Sequence, residues 1–296
     1  MAKLKNNNIE ARIANEVFAI EQENAKEAGA VGFMARLFVQ TSLPHSKVDG
    51  LTYERVNGDI TTLITSPRGV GLPYGSIPRL LLSWVTTEAV RTGEKRVFLG
   101  DNLSQFMGQL GMNPTGGRWG SIKRLKDQTS RLFASTITTL YKDRETQQGR
   151  AFTPFFEHSL WWNTPDANQS TLFESYVDLQ SEFFKEVTSK PIPIDIRALT
   201  ALKKSPLALD IYCWLTYRMS YVSRATHVPW EALQVQFGSG YPLTARGKRD
   251  FKGKFLGQLK KVSLIYPEAK FEVSEKTICL LPSKTHVPKL KGHYKK

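Results

Sequence analysis

The segment Thr244–Val262 constrains the fold of this chain more than any other stretch. Its apolar residues recur at three- and four-residue steps, at Phe251, Phe255 and Leu259, which predicts a helix that buries one face. Thr244 is the predicted N-cap, because its side-chain oxygen can accept a hydrogen bond from the first free backbone amide groups. The opposite face of the predicted helix is strongly basic.

Two glycines, Gly253 and Gly257, lie in the middle of this basic face. A glycine inside a helix costs roughly 1 kcal/mol relative to alanine, so their position indicates a backbone that must come close to another surface. The alternative is an amphipathic surface helix whose charges are only solvated. On the first interpretation the helix contributes these candidate DNA-binding residues: Arg246, Lys248, Arg249, Lys252, Gly253, Lys254, Gly257, Lys260 and Lys261.

The elements predicted on either side of the helix complete a motif. Glu231–Gly238 forms a short helix before a turn, while Ala269–Val273 and Thr277–Leu281 form a hairpin with Lys276 at its tip. A short helix, a turn, a basic helix and a hairpin are the parts of a winged helix-turn-helix, whose second helix enters the major groove of DNA. The segment therefore predicts a DNA-binding module, with Lys276 as a further candidate contact.

A shift of 130 residues, which takes Trp84 onto Trp214, aligns the two halves of the chain without a gap. The matched residues fall at equivalent places, since Gly117 and Gly247 each precede a basic helix. The repeat predicts two winged-helix domains in tandem. The basic helix of the first copy is predicted from Arg118 to Ser135. Its candidate DNA-binding residues are Arg118, Lys123, Arg124 and Arg131.

The predicted fold class is α+β, with two tandem winged-helix domains and an N-terminal helical arm. The arm covers residues 1–48, the first winged-helix domain covers 49–189, and the second covers 190–296 and ends in a basic tail. Lys190–Asp195 is the predicted boundary, because its paired prolines favour an extended linker. Within the arm, Phe33–Ser42 is strand-like.

Turn and capping residues predict the shorter elements. Asn57 and Gly58, between two strand-like runs, predict a hairpin turn. Pro78 opens a helix, because proline is favoured at the first helical position, and Asp101 is the predicted cap of the next helix. Ser205 caps a helix that is apolar almost all round and is therefore expected to be buried.

Composition favours a nucleic-acid partner. The chain has 296 residues, a formal net charge of +14 and a pI near 9.7, which indicates an anionic partner. An anionic membrane surface is the alternative, but no apolar run approaches the length of a membrane span. Cys213 and Cys279 lie in apolar runs, as reduced core thiols do. These features predict a cytoplasmic protein without a signal peptide or a disulfide framework.

Five segments carry a resemblance to a known family, and they lie within roughly Val31 to Pro288. They resemble plasmid replication initiators of the family called plasmid-encoded RepA. The segments are Leu72–Val90 (with Leu-Pro-Tyr-Gly-Ser-Ile-Pro-Arg), Pro114–Gly120 (Pro-Thr-Gly-Gly-Arg-Trp-Gly), Lys204–Tyr212, Trp214–Tyr221 and Tyr266–Lys270.

The resemblance implies binding to repeated double-stranded DNA sites in a plasmid origin, opening of the origin, and recruitment of the host initiator and the replicative helicase. It also implies that the first winged-helix domain mediates homodimerisation as well as accessory DNA contacts, and that the dimer can repress its own promoter. In the basic helix, the resemblance leads us to expect larger residues where this sequence has Gly253 and Gly257.

Residues suited to catalysis form no recognisable arrangement in the sequence. Nicking initiators use two histidines one residue apart with a tyrosine nucleophile, whereas the five histidines here are scattered. A phosphate-binding loop needs Gly-x-x-x-x-Gly-Lys, and Pro242 stands where the first glycine would precede Gly247 and Lys248. The sequence therefore predicts no enzyme activity, no cofactor and no metal. The alternatives are a winged-helix repressor or autoregulator, a nicking enzyme or primase, and domains that only dimerise.

Overall fold

The computed structural model describes Ile13 and residues 17–20, 22–100, 102–142, 147–152, 154–159 and 175–288. It is a mixed α/β structure that divides into two compact units. We call them the C-terminal unit, which combines Met1–Met34 with Ile192–Lys296, and the middle unit, which comprises Ala35–Pro191.

The first part of the chain contains most of the strands. Residues 17–20 are helical. After them, in chain order, come β1 (Val31–Met34), α1 (Arg36–Gln40), β2 (Thr52–Asn57), β3 (Ile60–Thr65), α2 (Ser76–Thr92), β4 (Arg96–Phe98), α3 (Leu103–Gln109), α4 (Ser121–Phe133), β5 (Thr136–Lys142), β6 (Gln147–Phe152), β7 (Phe155–Ser159), β8 (Tyr176–Leu179) and α5 (Ser181–Ser189).

The remaining part, all in the C-terminal unit, is richer in helix. Its elements are β9 (Ile192–Asp195), α6 (Ile196–Leu202), α7 (Pro206–Met219), β10 (Thr226–Pro229), α8 (Trp230–Phe237), α9 (Ala245–Ile265), β11 (Phe271–Val273) and β12 (Thr277–Leu280).

The predicted linker at Lys190–Asp195 is instead largely a strand. Its residues from Ile192 onward form β9, which pairs antiparallel with β1, with Val31 opposite Asp195. Ile192 and Ile194 are buried, and prolines are tolerated in a strand that has only one partner. This pairing joins β1 to the C-terminal unit, whereas the sequence placed residues 1–48 in a separate arm.

The prediction of a strand over Phe33–Ser42 was also wrong beyond its first two residues. Only its start belongs to β1, and the chain then turns into the helix α1. Leu37, Phe38 and Val39 are all buried. A short apolar run of this kind has no periodicity that distinguishes a buried strand from a buried helix, so the sequence alone could not decide between them.

The middle unit contains a four-stranded sheet with the order β2-β3-β5-β6. Its first hairpin confirms the predicted turn, because Asn57 pairs with Ile60 and Gly58 has a φ of 57°. A left-handed φ of this kind favours glycine.

The two units share an order of elements that follows the 130-residue shift. The helices α2 and α7 begin at Ser76 and Pro206, and the strands β4 and β10 begin at Arg96 and Thr226. Each unit also has a three-stranded sheet in which the last strand of the chain segment lies in the middle. The orders are β4-β8-β7 in the middle unit and β10-β12-β11 in the C-terminal unit.

Helix starts follow capping side chains. The predicted caps Ser205 and Thr244 accept hydrogen bonds from the backbone amides of Ala208 and Gly247. In α3 the observed cap is Asn102, whose side chain accepts from Gln105 N, and the predicted cap Asp101 lies outside the described residues. The helix predicted from Arg118 begins at Ser121.

The core of the C-terminal unit forms around Phe255 on α9. Trp230, Phe237 and Trp214 surround it, with ring centroids 5.8, 5.9 and 6.2 Å away. Phe251, Leu259 and Val262 are also buried, which confirms the predicted inner face. Cys213 and Cys279 are buried free thiols, as expected.

Some sequence predictions fall where the structure describes nothing. They concern the loop Asn163–Thr171 and residues 9–12, 14–16 and 21 of the predicted N-terminal helix Ile9–Ala28. The tail lysines Lys289, Lys291, Lys295 and Lys296 are likewise outside the described residues. Among the helices in the described ranges, none is both long and apolar enough to cross a membrane.

Candidate nucleic-acid interface

The outer face of α9 is an open surface that combines cations with bare backbone. Arg249, Lys254 and Lys260 are exposed there, and so are Gly253 and Gly257. A Cβ atom placed on either glycine would meet no atom within 4 Å. Packing within the described chain therefore gives no reason for glycine at these two positions, and a contact with another molecule would supply one.

Most of the charge on this face is available to a partner. Arg249, Lys254, Lys260 and Lys261 form no ion pair with any residue in the described ranges. Arg246 lies 3.7 Å from the carboxylate of Asp250, and both side chains are largely exposed. An exposed pair of this kind contributes little stability, so Arg246 can exchange its partner for a phosphate or a base at small cost.

The turn that leads into α9 is fixed by short-range contacts. Gln234 Nε2 donates a hydrogen bond to the carbonyl oxygen of Pro242 at 2.9 Å. A Cβ atom on Gly247 would overlap the same carbonyl oxygen, so only glycine allows the turn to pack against the first turn of α9. Leu243, next to the cap, is 79% exposed. These contacts hold the turn before α9 against the first turn of the helix, and they leave the side chain of Leu243 exposed to solvent.

The tip of the β11–β12 hairpin is attached to the helices by Lys252 and Trp230. Lys252 Nζ donates to the carbonyl oxygens of Ser274 and Glu275, each at 2.9 Å. Trp230 Nε1 donates to the Ser274 carbonyl at 3.2 Å, and Trp230 N donates to the Lys276 carbonyl at 3.1 Å. Lys252 thus contacts the hairpin, whereas the sequence grouped it with the DNA-contacting cations.

Lys248 is also engaged within the C-terminal unit. Its ammonium group forms an ion pair with Glu231 on α8. The hydrogen bond from Lys248 lowers the pKa of the Glu231 carboxyl group. Both side chains are substantially exposed, so the pair joins α8 to α9 weakly.

In the middle unit the four predicted cations have different environments. Lys123 and Arg124 are exposed on α4, while Arg118 precedes the helix. Arg131 is turned inward: its Nε lies 2.9 Å from Asp127, and its guanidinium carbon lies 5.7 Å from the centre of the Tyr74 ring. With only 18% of its side chain exposed, Arg131 is not presented alongside Lys123 and Arg124.

Sequence reasoning missed the exposed aromatic residue Trp119. It is 81% exposed and lies between Arg118 and Gly120, immediately before α4. The available signal was its place in a glycine-rich turn beside cations, since a tryptophan in such a turn has few neighbours with which to pack.

A second group of polar residues lies inside the C-terminal unit. The Tyr212 hydroxyl group accepts a hydrogen bond from Asp195 N at 2.9 Å and lies 2.7 Å from His286 Nδ1. Burial lowers the pKa of His286, although the nearby carboxylates of Asp195 and Glu268 oppose the shift. The group connects the start of α6 to the segment after β12, so it is structural and does not belong to the exposed face of α9.

Comparison with known proteins identifies the family. The family described as plasmid encoded RepA protein matches residues 72–232, which is more than half of the chain. The chain belongs to this family of plasmid replication initiators, as its sequence resemblance predicted. A search of curated proteins found no significant match.

Two solved structures share the fold. Selenomethionine-labelled domains 2 and 3 of RctB match with a TM-score of 0.55 at 9% sequence identity, over 84% of this chain and 97% of that chain. A second structure of RctB domains 2–3 matches with a TM-score of 0.52 at 11% identity, over 82% of this chain and 94% of that chain. At these identities the likeness concerns the fold alone.

Proposed function

We propose that the chain is a plasmid replication initiator that binds double-stranded repeats in the origin through the C-terminal unit. Family membership supports the general assignment. The observation that carries the binding surface is the outer face of α9, where unpaired cations surround two glycines that nothing inside the described chain requires.

In this proposal α8, the following turn, α9 and the β11–β12 hairpin act as a winged helix-turn-helix. The helix α9 enters the major groove, and Arg246 and Arg249 in its first turns meet base edges. Lys254, Lys260 and Lys261 neutralise phosphates along the groove. Gly253 and Gly257 allow the helix backbone to approach the groove floor.

The hairpin contributes a further phosphate contact through Lys276, whose position follows from the attachment of the tip to Trp230 and Lys252. Lys252 acts within the protein, where it positions the hairpin. Lys248 forms only a weak, exposed pair with Glu231 and can exchange that carboxylate for a phosphate. Lys123, Arg124 and Arg118 of the middle unit provide accessory contacts. Arg131 is omitted from the interface because it faces inward.

The remaining parts of the proposal follow from the family resemblance. The middle unit acts as a second winged helix and mediates a homodimer, and the bound chain opens the origin and recruits the host initiator and replicative helicase. We propose a cytoplasmic protein that acts without a cofactor and without catalysis of its own.

Footprinting on the plasmid DNA around the gene tests the proposal. An initiator should protect tandem direct repeats, and mutation of those repeats should abolish plasmid replication. Protection of one inverted repeat over the promoter, with replication unaffected by its mutation, would instead identify a winged-helix repressor.

A further inference from the structure

We propose that Trp119, supported by Arg118, is a stacking site for an exposed DNA base. The ring lies in the turn before α4 in the middle unit and is 81% exposed. The guanidinium carbon of Arg118 lies 5.2 Å from the ring centroid, which is within the range of a cation–π interaction. A flat aromatic surface beside a cation can bind a nucleobase face and the adjoining phosphate together.

The turn that carries Trp119 is held by its own hydrogen bonds. Ser121 Oγ accepts from Thr115 N at 2.9 Å and donates to the Asn113 carbonyl at 2.6 Å. Ser121 N donates to Thr115 Oγ1 at 2.9 Å. These bonds close the segment between Asn113 and Ser121, so the backbone around Trp119 is already ordered before any ligand arrives. A preformed loop loses little conformational entropy on binding.

Two glycines are required by this turn, in contrast to those on α9. Gly117 has a φ of 84°, a conformation that side chains other than glycine rarely adopt. A Cβ atom on Gly120 would overlap the carbonyl oxygens of Thr115 and Gly116. The chain thus makes a tight turn whose consequence is that Trp119 projects outward.

Charge favours a nucleic acid over a protein as the occupant. Residues 111–126 contain no acidic side chain, and Lys123 and Arg124 are exposed on the first turn of α4. Residues 113–119 are all exposed, and Trp119 is the one aromatic residue among them. A tryptophan that anchors a protein interface is usually ringed by groups that exclude water, and this one is ringed by glycines and cations.

The ligand chemistry is therefore the face of a nucleobase with its phosphate. A single strand presents such faces directly, and a duplex presents one where a base step is opened. The site would let the middle unit hold a melted or distorted stretch while α9 remains on the intact repeat. The proposal rests on the DNA-binding function proposed above, but it involves different residues in the other unit.

The test compares three variants of the full-length chain by fluorescence anisotropy: Trp119→Ala, Trp119→Phe and Phe98→Ala. Phe98 is the matched control, because it is an exposed aromatic residue of the same unit at 51% exposure. The probes are a thymidine homopolymer, a closed origin duplex, and the same duplex with a central mismatched bubble.

We expect Trp119→Ala to weaken binding of the homopolymer and the bubble by about tenfold or more, the typical effect of removing one stacking aromatic. Trp119→Phe should retain most of the affinity, since a phenyl ring still stacks, and Phe98→Ala should behave like the wild type. Unchanged closed-duplex binding would identify the single strand as the source of the base. Alternatively, the variant could lose the same amount of affinity for the closed duplex. If the wild-type chain raises the fluorescence of a 2-aminopurine placed in that duplex, which reports an unstacked base, and the variant does not, the source is an opened base step.

If the folded Trp119→Ala variant bound each of the three probes as tightly as the wild-type chain does, the stacking site would be overturned. A change in sedimentation mass without any change in DNA binding would also overturn it, and would assign Trp119 to a protein contact. Failure of the wild-type chain to prefer origin duplex over unrelated duplex would instead count against the proposed function, so the two failures are distinguishable.

Discussion

The ammonium group of Lys252 lies 4.9 Å from the centre of the Trp230 ring, and both residues donate hydrogen bonds to the Ser274 carbonyl oxygen. These contacts fix the tip of the β11–β12 hairpin relative to α9. The spacing between Lys276 at the tip and the cations on α9 is therefore determined by the protein before DNA binds.

The Lys252 contacts predict a coupling with Lys276. In a double-mutant cycle, Lys252→Met and Lys276→Ala should weaken specific binding by less together than the sum of their separate effects, because each releases the same hairpin contact with DNA. Lys254→Met combined with Lys276→Ala is the matched control and should be additive. If the Lys252 and Lys276 effects also add, Lys252 contacts DNA independently, and the positioning role is wrong.

The cations at the end of α9 predict a change in salt dependence. Binding of phosphates by Lys260 and Lys261 releases counterions, so the double alanine variant should reduce the slope of log K against log salt by about two. Specific and non-specific binding should weaken alike. Lys185→Ala, which removes an exposed cation from α5, should leave the slope unchanged. An unaltered slope in the double variant would remove these two lysines from the interface.

Arg249 is predicted to read a base. Its fork of donors suits guanine in the major groove, and a good contact of this type contributes about 1–3 kcal/mol of discrimination. Arg249→Ala should relax specificity at one position of the repeat and preserve most non-specific affinity, as measured against a set of single-base variants. Arg249→Lys keeps the charge but loses the paired geometry, so it should resemble the alanine variant. Equal loss of specific and non-specific affinity would make Arg249 a phosphate contact.

The two glycines on α9 predict opposite effects on stability and binding. Because a Cβ atom meets no neighbour at Gly253 or Gly257, alanine at both positions should raise the free energy of unfolding by up to about 1 kcal/mol each. Leucine at both positions should preserve the fold and non-specific binding but block docking in the groove, so the specific complex should be lost. Full specific affinity in the folded leucine variant would show that the helix axis does not approach the groove floor.

His286 predicts a loss of stability in mild acid. Its pKa is lowered by burial in the folded chain, so the neutral ring is favoured there and the unfolded chain binds a proton first. The stabilisation that comes from the neutral His286 ring is complete above about pH 6.5, the ordinary pKa of histidine. It is lost as the pH falls towards the lowered pKa of the folded chain. Urea unfolding between pH 7.5 and about pH 5 should show this decline, and His286→Gln should flatten it. An identical pH profile in the variant would exclude His286 as the cause.

Local signals were sufficient for the helices of the C-terminal unit from α7 onward, but we predicted no strand where β10 (Thr226–Pro229) pairs with β12. Thr244, Ser205 and the spacing of Phe251 and Phe255 identify helix starts and buried faces within a few residues, because capping and periodicity depend on neighbours in the sequence. The hairpin after α9 could be predicted for the same reason.

Contacts between distant segments could not be predicted. The pairing of β1 with β9 joins residues far apart in the chain, and no local pattern in Lys190–Asp195 specifies its partner. Arg79 is another case: it is buried and donates hydrogen bonds to the carbonyl oxygens of Leu43, Pro44 and Gly75, although a single arginine in a helix is usually solvated.

In the candidate site, too, features set by neighbouring residues could be predicted, and contacts with distant residues could not. The basic face of α9 follows from helical periodicity alone, and the structure presents it as expected from that pattern. The roles of Lys252 and Arg131 depend on what lies opposite them, namely the hairpin tip and the side chains of Asp127 and Tyr74. Charge in a sequence therefore identified the surface but not which cations are already engaged within the protein.

Affinity cleavage from α9 is the sharpest test of whether this helix lies in the major groove of the origin repeats. Cys213 and Cys279 are buried, so a cysteine introduced as Lys254→Cys can be labelled selectively with an iron chelate that cuts nearby DNA, and the labelled wild-type chain serves as the control. With α9 in the major groove, cuts should be confined to the major-groove side of each origin repeat, at one position per repeat. Protection of the repeats by the labelled variant without any cutting there would contradict the placement of α9 in the groove.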